Sequence, residues 1–219
     1  MLQDRIKASD LIREVMAFAL TLAWAILFQW EARDVIWGLW ISSLVVGYGF
    51  ILFAIVSMLW GEEERVLGSR QTLPGAELLK GRIIAGLMLL AFFSVHFCMF
   101  HYGHSFFLNL FFPLAPEDKT YSGSFFRTIS ICLKLYWPIV LSTFISRLPD
   151  FRPQGPDDEG SVFLKPYASV IRMHILIFVF AGLSVADIAH YALYPVLAFY
   201  FFPWAMVFRS TGRAGQARA

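Results

Sequence analysis

The sequence has few charged residues and few cysteines, and each shortage excludes a class of protein. Charged residues make up 16% of the 219 residues, against about 25% in a typical soluble domain. Two cysteines are too few for a secreted disulfide scaffold or a cysteine-rich metal motif. The net charge of +2 is too small to indicate a nucleic-acid partner. The sequence also contains no phosphate-binding glycine loop, dinucleotide fingerprint or Ser/His/Asp order, so the common soluble enzyme signatures are missing.

Apolar residues are abundant instead. They make up 58% of the chain, which contains 23 Phe, 8 Tyr and 7 Trp. A single water-soluble core of this length cannot bury so much apolar surface. The apolar residues form long continuous runs without period-two alternation, which favours membrane helices over an outer-membrane barrel. The composition therefore predicts an all-α, polytopic membrane helix bundle.

Six segments are long and apolar enough to span a hydrocarbon core about 30 Å thick. They cover 11–30, 35–60, 83–110, 125–146, 167–186 and 188–208. We expect one integral-membrane domain over residues 1–219. Within this domain we expect an amphipathic N-terminal segment at 1–14, which overlaps the start of the first span, a flexible cytoplasmic loop at 148–160 and a polar tail at 209–219.

The positions of the basic residues predict the orientation of these helices. With six spans, thirteen of the 18 Lys and Arg residues fall on one side of the membrane: Arg5, Lys7, Arg13, Arg65, Arg70, Lys80, Arg82, Arg147, Arg152, Lys165, Arg209, Arg213 and Arg218. Basic loops stay in the cytoplasm. The sequence thus predicts a multi-pass protein of the cell inner membrane with both termini in the cytoplasm.

All five histidines fall in or beside predicted membrane helices, and three of them are on the third. His96, His101 and His104 fit within one broad face of that helix. His174 and His190 lie on the fifth and sixth helices. Imidazole binds zinc, copper and iron, so a cluster from several helices is a candidate site for a transition metal or haem. Interhelical hydrogen bonding by each histidine is the alternative.

Three charged residues are candidates for a ligand path or a charge pair. Lys134 lies deep in the fourth helix, where it either pairs with Asp187, binds an anionic ligand or lines a water-filled cavity. Arg172 lies near the cytoplasmic end of the fifth helix, from which its side chain can reach the headgroups. Asp187 and His190 are three residues apart, so they form either a carboxylate–imidazole couple or a simple helix cap.

Several short motifs resemble the prokaryotic membrane-protein family called domain of unknown function 6498. The opening hairpin of that family is similar to residues 27–30 and 39–48, and its aromatic, histidine-bearing helix to residues 96–104. Its Pro-Tyr and Arg-x-x-His element is similar to residues 166–167 and 172–175. The resemblance implies a shared fold and no known activity.

The resemblance also ranks the histidines. His96, His104 and His174 match the family pattern, so they stand above His101 and His190 as metal ligands. Two positions depart from the pattern: Ser42 replaces an expected Glu, and Phe50 replaces an expected Asn. If that Glu belongs to a functional site in the family, the site is altered or missing in this chain.

The sequence therefore predicts binding of a metal or redox cofactor within the bilayer by histidines of the third and fifth helices. Two other functions stay open. One is a small transporter or channel lined by Lys134 and Asp187. The other is an accessory subunit of a membrane complex. The predicted partners are the lipid bilayer and either a second copy of the chain or a membrane-complex subunit. Whether the chain is an enzyme is left open.

Overall fold

A computed structural model describes residues 8–60, 75–114 and 124–151, together with isolated positions between 167 and 186. All secondary structure in these stretches is helical. The helices are α1 (Ala8–Leu27), α2 (Ala32–Trp60), α3 (Gly75–Phe111) and α4 (Phe125–Arg147), with a short 3-10 turn at Leu148–Asp150 after α4. The fold is therefore all-α over this part of the chain, as predicted.

By length and composition, α2, α3 and α4 can each cross a membrane. The apolar part of α1, Val15–Leu27, is shorter. Helix α3 has 37 residues, which gives a length of about 55 Å, and it begins at Gly75, well before the predicted start at Ile83. Residues 8–14 form the first turns of α1, whereas 1–7, most of the predicted fifth helix and the whole sixth lie outside the described residues.

The turn between α1 and α2 is closed by backbone hydrogen bonds. Gln29 has a φ of 52°, and its N–H donates to the carbonyl of Ile26 while that of Trp30 donates to Ala25. These two bonds form a Schellman motif, which satisfies the last carbonyls of α1. Asp34 then caps α2 by accepting the Glu31 N–H at 2.9 Å. The two helices are thus joined by a compact, well-bonded turn.

Helix α2 lies at the centre of the described bundle, packed against α3 and α4, and α4 also packs against α1. The most apolar window of α2 is 56% buried, against 17% for α3. Gly47 permits the close contact with α3, because an added Cβ would overlap the ring of Phe97. Gly38 does the same for α4, because a Cβ there would overlap Ile139.

Helix α4 is kinked in its middle. Tyr136 has non-helical dihedral angles, φ −115° and ψ 18°, and Pro138 follows two residues later. Proline lacks the N–H for the helical hydrogen bond and its ring crowds the preceding turn, which accounts for the break. The Tyr136 hydroxyl donates to Asp34 Oδ1 at 2.9 Å. The kink is therefore attached to the first turn of α2.

The kink turns the first half of α4 over α2. From Tyr136 onward the two helices run in the same direction, with Gly38 near Ile139. If α4 were straight, Phe125 would lie about 16 Å from Tyr136, toward the start of α4. Trp40 lies about 9 Å from Asp34, the partner of Tyr136, in the other direction along α2. The ring centroids of Phe125 and Trp40 are nevertheless 6.1 Å apart. The kink is needed for this contact, and it helps to explain why residues 35–44 are all buried.

Polar contacts fasten α4 to α1. The Ser142 hydroxyl donates to the carbonyl of Ala17 at 2.8 Å and lies 2.7 Å from the Thr21 hydroxyl. Just after the C-terminal end of α4, Phe151 stacks on Phe50 with centroids 4.5 Å apart. The first residues of the loop predicted as flexible at 148–160 are therefore packed against α2, and 152–160 lie outside the described residues.

Candidate intramembrane histidine site

Helix α3 presents two histidines to the interior of the bundle and one to its exterior. His101 is 1% exposed and His104 is 4% exposed. They belong to an inward stripe that includes Phe93, Phe97 and Leu108. His96 is exposed. Helical spacing alone places all three histidines on one broad face of α3. The contact with α2 is narrow and buries only part of that face, so His96 remains exposed.

His101 is held in one tautomer by its own helix. Its Nδ1 lies 3.0 Å from the carbonyl oxygen of Phe97. Because a carbonyl oxygen only accepts hydrogen bonds, Nδ1 must carry the proton, and in the neutral ring Nε2 then has the lone pair. The imidazole also packs against the Phe97 ring, with centroids 4.4 Å apart. A backbone carbonyl on one ring nitrogen is the usual support of a metal-ligating histidine.

Trp40 of α2 fixes the same residue from the opposite helix. Its indole N–H donates to the His101 carbonyl oxygen at 3.1 Å. Its ring centroid lies 5.9 Å from the His101 imidazole, and Phe125 stands edge-on to Trp40. The site is thus enclosed by α2, α3 and the first half of α4.

The two buried imidazoles are neighbours. The ring centroids of His101 and His104 are 6.1 Å apart, and their planes are inclined by 60°. Both lie on the stretch of α3 that the Trp40 hydrogen bond fixes against α2. The pair therefore has little freedom to move apart through backbone motion.

His96 has different surroundings. It stacks on Phe92 with centroids 5.5 Å apart and meets the edge of Phe100 at 5.0 Å. Tyr167, at the start of the predicted fifth helix, lies 5.7 Å from His96 and also contacts Phe97. The predicted proximity of the third and fifth segments is thus present at Tyr167. His174, which would complete the predicted site with His96 and His104, lies outside the described residues.

The remaining candidates are not brought to this site. Lys134 lies on the exposed side of α4, and no described residue pairs with it. Arg172, Asp187 and His190 lie outside the described residues. Among the residues with described positions, no group of three or more His, Cys, Asp and Glu side chains is placed to hold a metal ion.

Two features of the site were missed from the sequence. One is Trp40, which we did not single out although it lies in the family-like hairpin. The other is the Asp34–Tyr136 hydrogen bond, which secures the kink that brings α4 over Trp40. Pro138 signalled the kink, and the acidic side chain of Asp34 in the first turn of α2 signalled a cap. Neither signal indicates that the two are in contact, because the residues are 102 positions apart.

The whole-chain comparison agrees with the resemblance found in the short motifs. Residues 1–206 match the sequence profile of a family described as a family of unknown function, DUF6498. The chain belongs to DUF6498. No curated protein and no solved structure matched it. Membership in DUF6498 therefore brings no activity with it, and the chemistry must be inferred from the residues.

The two positions at which this DUF6498 chain departs from the expected pattern have structural roles. Ser42 is buried and donates its hydroxyl to the carbonyl of Gly38 at 2.7 Å. Phe50 stacks on Phe151. Ser42 thus forms a bond within α2, whereas Phe50 packs against the segment that follows α4, and neither side chain carries a charge.

Proposed function

We propose that this chain is an integral inner-membrane protein that binds a transition-metal ion through histidines inside the bilayer. The proposed topology has six spans and both termini in the cytoplasm. Support comes from the three helices long and apolar enough to cross a membrane and from the thirteen basic residues that six spans would place on one side. The lipid bilayer is its proposed surrounding.

One observation carries the metal proposal: two histidines are buried side by side on a helix whose surface is mostly exposed. His101 and His104 face inward, while the outward face of α3 is apolar, as in Met88, Val95 and Phe106. Ionisable side chains are expensive inside a membrane and mark functional sites when they face the bundle interior. Neutral imidazole is the commonest metal ligand that such a setting allows.

Burial decides which histidines we assign to the metal. His104, predicted from sequence, remains a proposed ligand because it is buried. His101 replaces His96 as the second ligand on α3, because His101 is buried and His96 is exposed. His174 is the proposed third ligand, from the fifth helix. Haem is disfavoured for the α3 pair, because two histidines three residues apart on one helix cannot ligate opposite faces of one macrocycle.

The transport hypothesis has less support. It requires Lys134 to face a path shared with Asp187 or Arg172, and Lys134 instead lies on the exposed side of α4. The accessory-subunit hypothesis needs no chemistry at the histidines. It becomes the favoured function if the purified chain binds no metal.

Elemental analysis and an optical spectrum of the protein purified in detergent test the proposal. We expect a stoichiometric transition metal in the parent protein and its loss in His104→Gln. His96→Gln is the matched control on the same helix, because that side chain is exposed. Equal metal content in all three proteins, or none in any, would refute the proposal.

Reporter tags at Met1 and Ala219 test the topology separately. Both tags should report from the cytoplasm, because an even number of spans returns the chain to the side on which it began. A periplasmic signal from either tag would contradict the six-span topology.

A further inference from the structure

We infer that the first half of α4 lies along the interface between the lipid headgroups and the acyl chains, and that Lys134 binds the phosphate of an anionic phospholipid there. In the proposed topology this is the leaflet opposite the cytoplasm. The inference rests on the proposed membrane embedding and is independent of metal binding. Three observations carry it: the depth of Lys134, the aromatic side chains at that depth and the chemistry of the exposed face of α4.

The kink places Lys134 at one end of the bundle. In a straight span over 125–146, Lys134 would lie near the centre of the bilayer. In the structure Tyr136, two residues later, donates its hydroxyl to Asp34 in the first turn of α2. Two residues advance a helix by about 3 Å. Lys134 is therefore close to the level at which α2 begins.

The first half of α4 runs obliquely across this end of the bundle. From Phe125 to Tyr136 it is about 16 Å long. Its two ends nevertheless contact α2 at Trp40 and at Asp34, which are only about 9 Å apart along α2. The second half of α4 runs in the same direction as α2 and still carries the chain across the membrane. The proposed number of spans is thus unchanged.

Helix α2 is long enough to extend past the hydrocarbon core at this end. Its 29 residues give a length of about 43 Å, about 13 Å more than the core is thick. Charged side chains lie just before α2 and in its first turn: Glu31 is 75% exposed, and Arg33 Nη2 lies 3.8 Å from its carboxylate. The first 9 Å or so of α2, and the half-helix beside it, can therefore lie outside the core.

Five aromatic rings gather at the same level. Trp137 stands edge-on to Trp24 with centroids 6.0 Å apart, and Trp30 stands edge-on to Tyr136 at 6.3 Å. Phe28 stacks on both Trp24 and Trp30, at 5.1 Å and 6.2 Å. Tryptophan and tyrosine are enriched where a membrane meets water. The rings thus indicate, independently of the helix lengths, that this level is a membrane interface.

The exposed face of the half-helix presents a cation beside apolar side chains. Lys134 is on the opposite side of α4 from the buried Tyr136, because two residues span 200° of a helix. Ser130, one turn earlier, is also exposed. Leu133 and Leu135 are 40% and 54% exposed. A phospholipid matches both features, because its phosphate accepts hydrogen bonds from the ammonium and the hydroxyl while its acyl chains cover the leucines. A net negative headgroup is favoured because it attracts lysine.

Spin labels measure the depth of the half-helix in vesicles of phosphatidylcholine and phosphatidylglycerol. Leu133→Cys and Val95→Cys provide two exposed labelling sites in a chain whose native cysteines are replaced by alanine. Val95 lies near Phe97, which contacts the middle of α2 at Gly47. We expect a water-soluble nickel chelate to reach the label at 133, and only oxygen to reach the label at 95. A straight α4 places both labels near the bilayer centre, so equal depths would overturn the inference.

Photocrosslinking tests the ligand at the same place. Benzoylphenylalanine replaces Leu133 in the full chain, in nanodiscs with equal amounts of phosphatidylglycerol and phosphatidylcholine. One basic residue at an anionic surface contributes about a fivefold preference. We therefore expect about five phosphatidylglycerol adducts for each phosphatidylcholine adduct, falling to about one in Lys134→Gln and kept in Lys134→Arg. Lys80→Gln is the matched control, because Lys80 is exposed and lies near the start of α3, and it should leave the ratio unchanged.

The remaining outcomes are decisive in the same way. A parent ratio near one, or a ratio that is equal in the parent and in Lys134→Gln, would overturn the phospholipid site. A parent ratio that falls in excess inorganic phosphate would assign Lys134 to a free phosphate and overturn it as well. A periplasmic signal from the tag at Met1 would overturn the stated leaflet. Absence of bound metal would refute the metal proposal and leave these results standing.

Discussion

Removing the Tyr136 hydroxyl tests whether the α4 kink is held by Asp34. The bond joins a buried tyrosine, 3% exposed, to a carboxylate at 2.9 Å. Hydrogen bonds to charged groups contribute about 1.5–3 kcal/mol in soluble proteins, and interhelical bonds in membranes average about 0.6 kcal/mol with a maximum near 1.7. We expect Tyr136→Phe to lower the free energy of unfolding by about 1–2 kcal/mol.

Asp34→Asn should have a smaller effect than Tyr136→Phe. The amide oxygen of Asn can still accept one of the two hydrogen bonds that the carboxylate accepts now, from Tyr136 and from the Glu31 N–H. Charge-assisted bonds are about twice as strong as neutral ones, so about half of the interaction should remain. In the double variant the two effects should be clearly non-additive, because they remove the same contact.

Reversible unfolding in mixed micelles provides the measurement. Tyr102→Phe is the matched control, because the Tyr102 side chain is 55% exposed and its ring also contacts Phe125. It should change the free energy of unfolding by less than about 0.5 kcal/mol. The reasoning is refuted if Tyr136→Phe is no more destabilising than this control, or if the two substitutions at the kink add independently.

A second readout follows the position of the first half of α4. Spin labels at Phe126 and Phe106, both on exposed positions, report the distance between α4 and α3. Because the kink brings this half of α4 over α2, Tyr136→Phe should broaden the distance distribution. An unchanged, narrow distribution would show that Pro138 alone maintains the kink.

Two further substitutions test helix packing, and a third tests membrane insertion. Gly47→Ala should destabilise the chain by about 1–3 kcal/mol, because its Cβ would overlap a buried phenyl ring. The control Gly103→Ala has nothing within 4 Å of the added Cβ and should be neutral or stabilising by up to about 1 kcal/mol. The reverse order of stability in thermal melts would refute the close contact of α2 and α3. Ser142→Ala should lower the free energy of unfolding by about 0.6–1.7 kcal/mol, because it removes a hydrogen bond to α1. Ser146→Ala loses only a bond within its own helix and should lower it less. Equal unfolding midpoints would argue against the α1–α4 contact. Lys134→Leu should insert at least as efficiently as the parent in a glycosylation-mapping assay, because it removes an exposed charge from an apolar helix, and lower insertion would indicate that Lys134 has a required partner.

Much of the fold follows from local sequence, for a physical reason. A helix long enough to cross a bilayer satisfies its own backbone hydrogen bonds, so a continuous apolar run specifies it without reference to distant residues. This is why α2 and α4 begin and end close to their predicted limits. Pro138 is likewise a local signal, because proline removes a helical hydrogen bond wherever it occurs. The start of α3 at Gly75 was harder to place, because its first turns are amphipathic and leave the hydrophobic pattern incomplete.

The arrangement of the helices depends on contacts between residues far apart in sequence, which no local pattern contains. Helical spacing places His96, His101 and His104 on one broad face, but the packing of α3 against its neighbours leaves His101 and His104 buried and His96 exposed. In the same way the sequence shows an acid at the start of α2 and a proline in α4, whereas only the tertiary structure joins Asp34 to Tyr136. Composition and periodicity thus determined an all-helical, apolar chain, and side-chain packing between helices decided which of its ionisable groups meet, because that packing depends on shapes and directions that periodicity does not record.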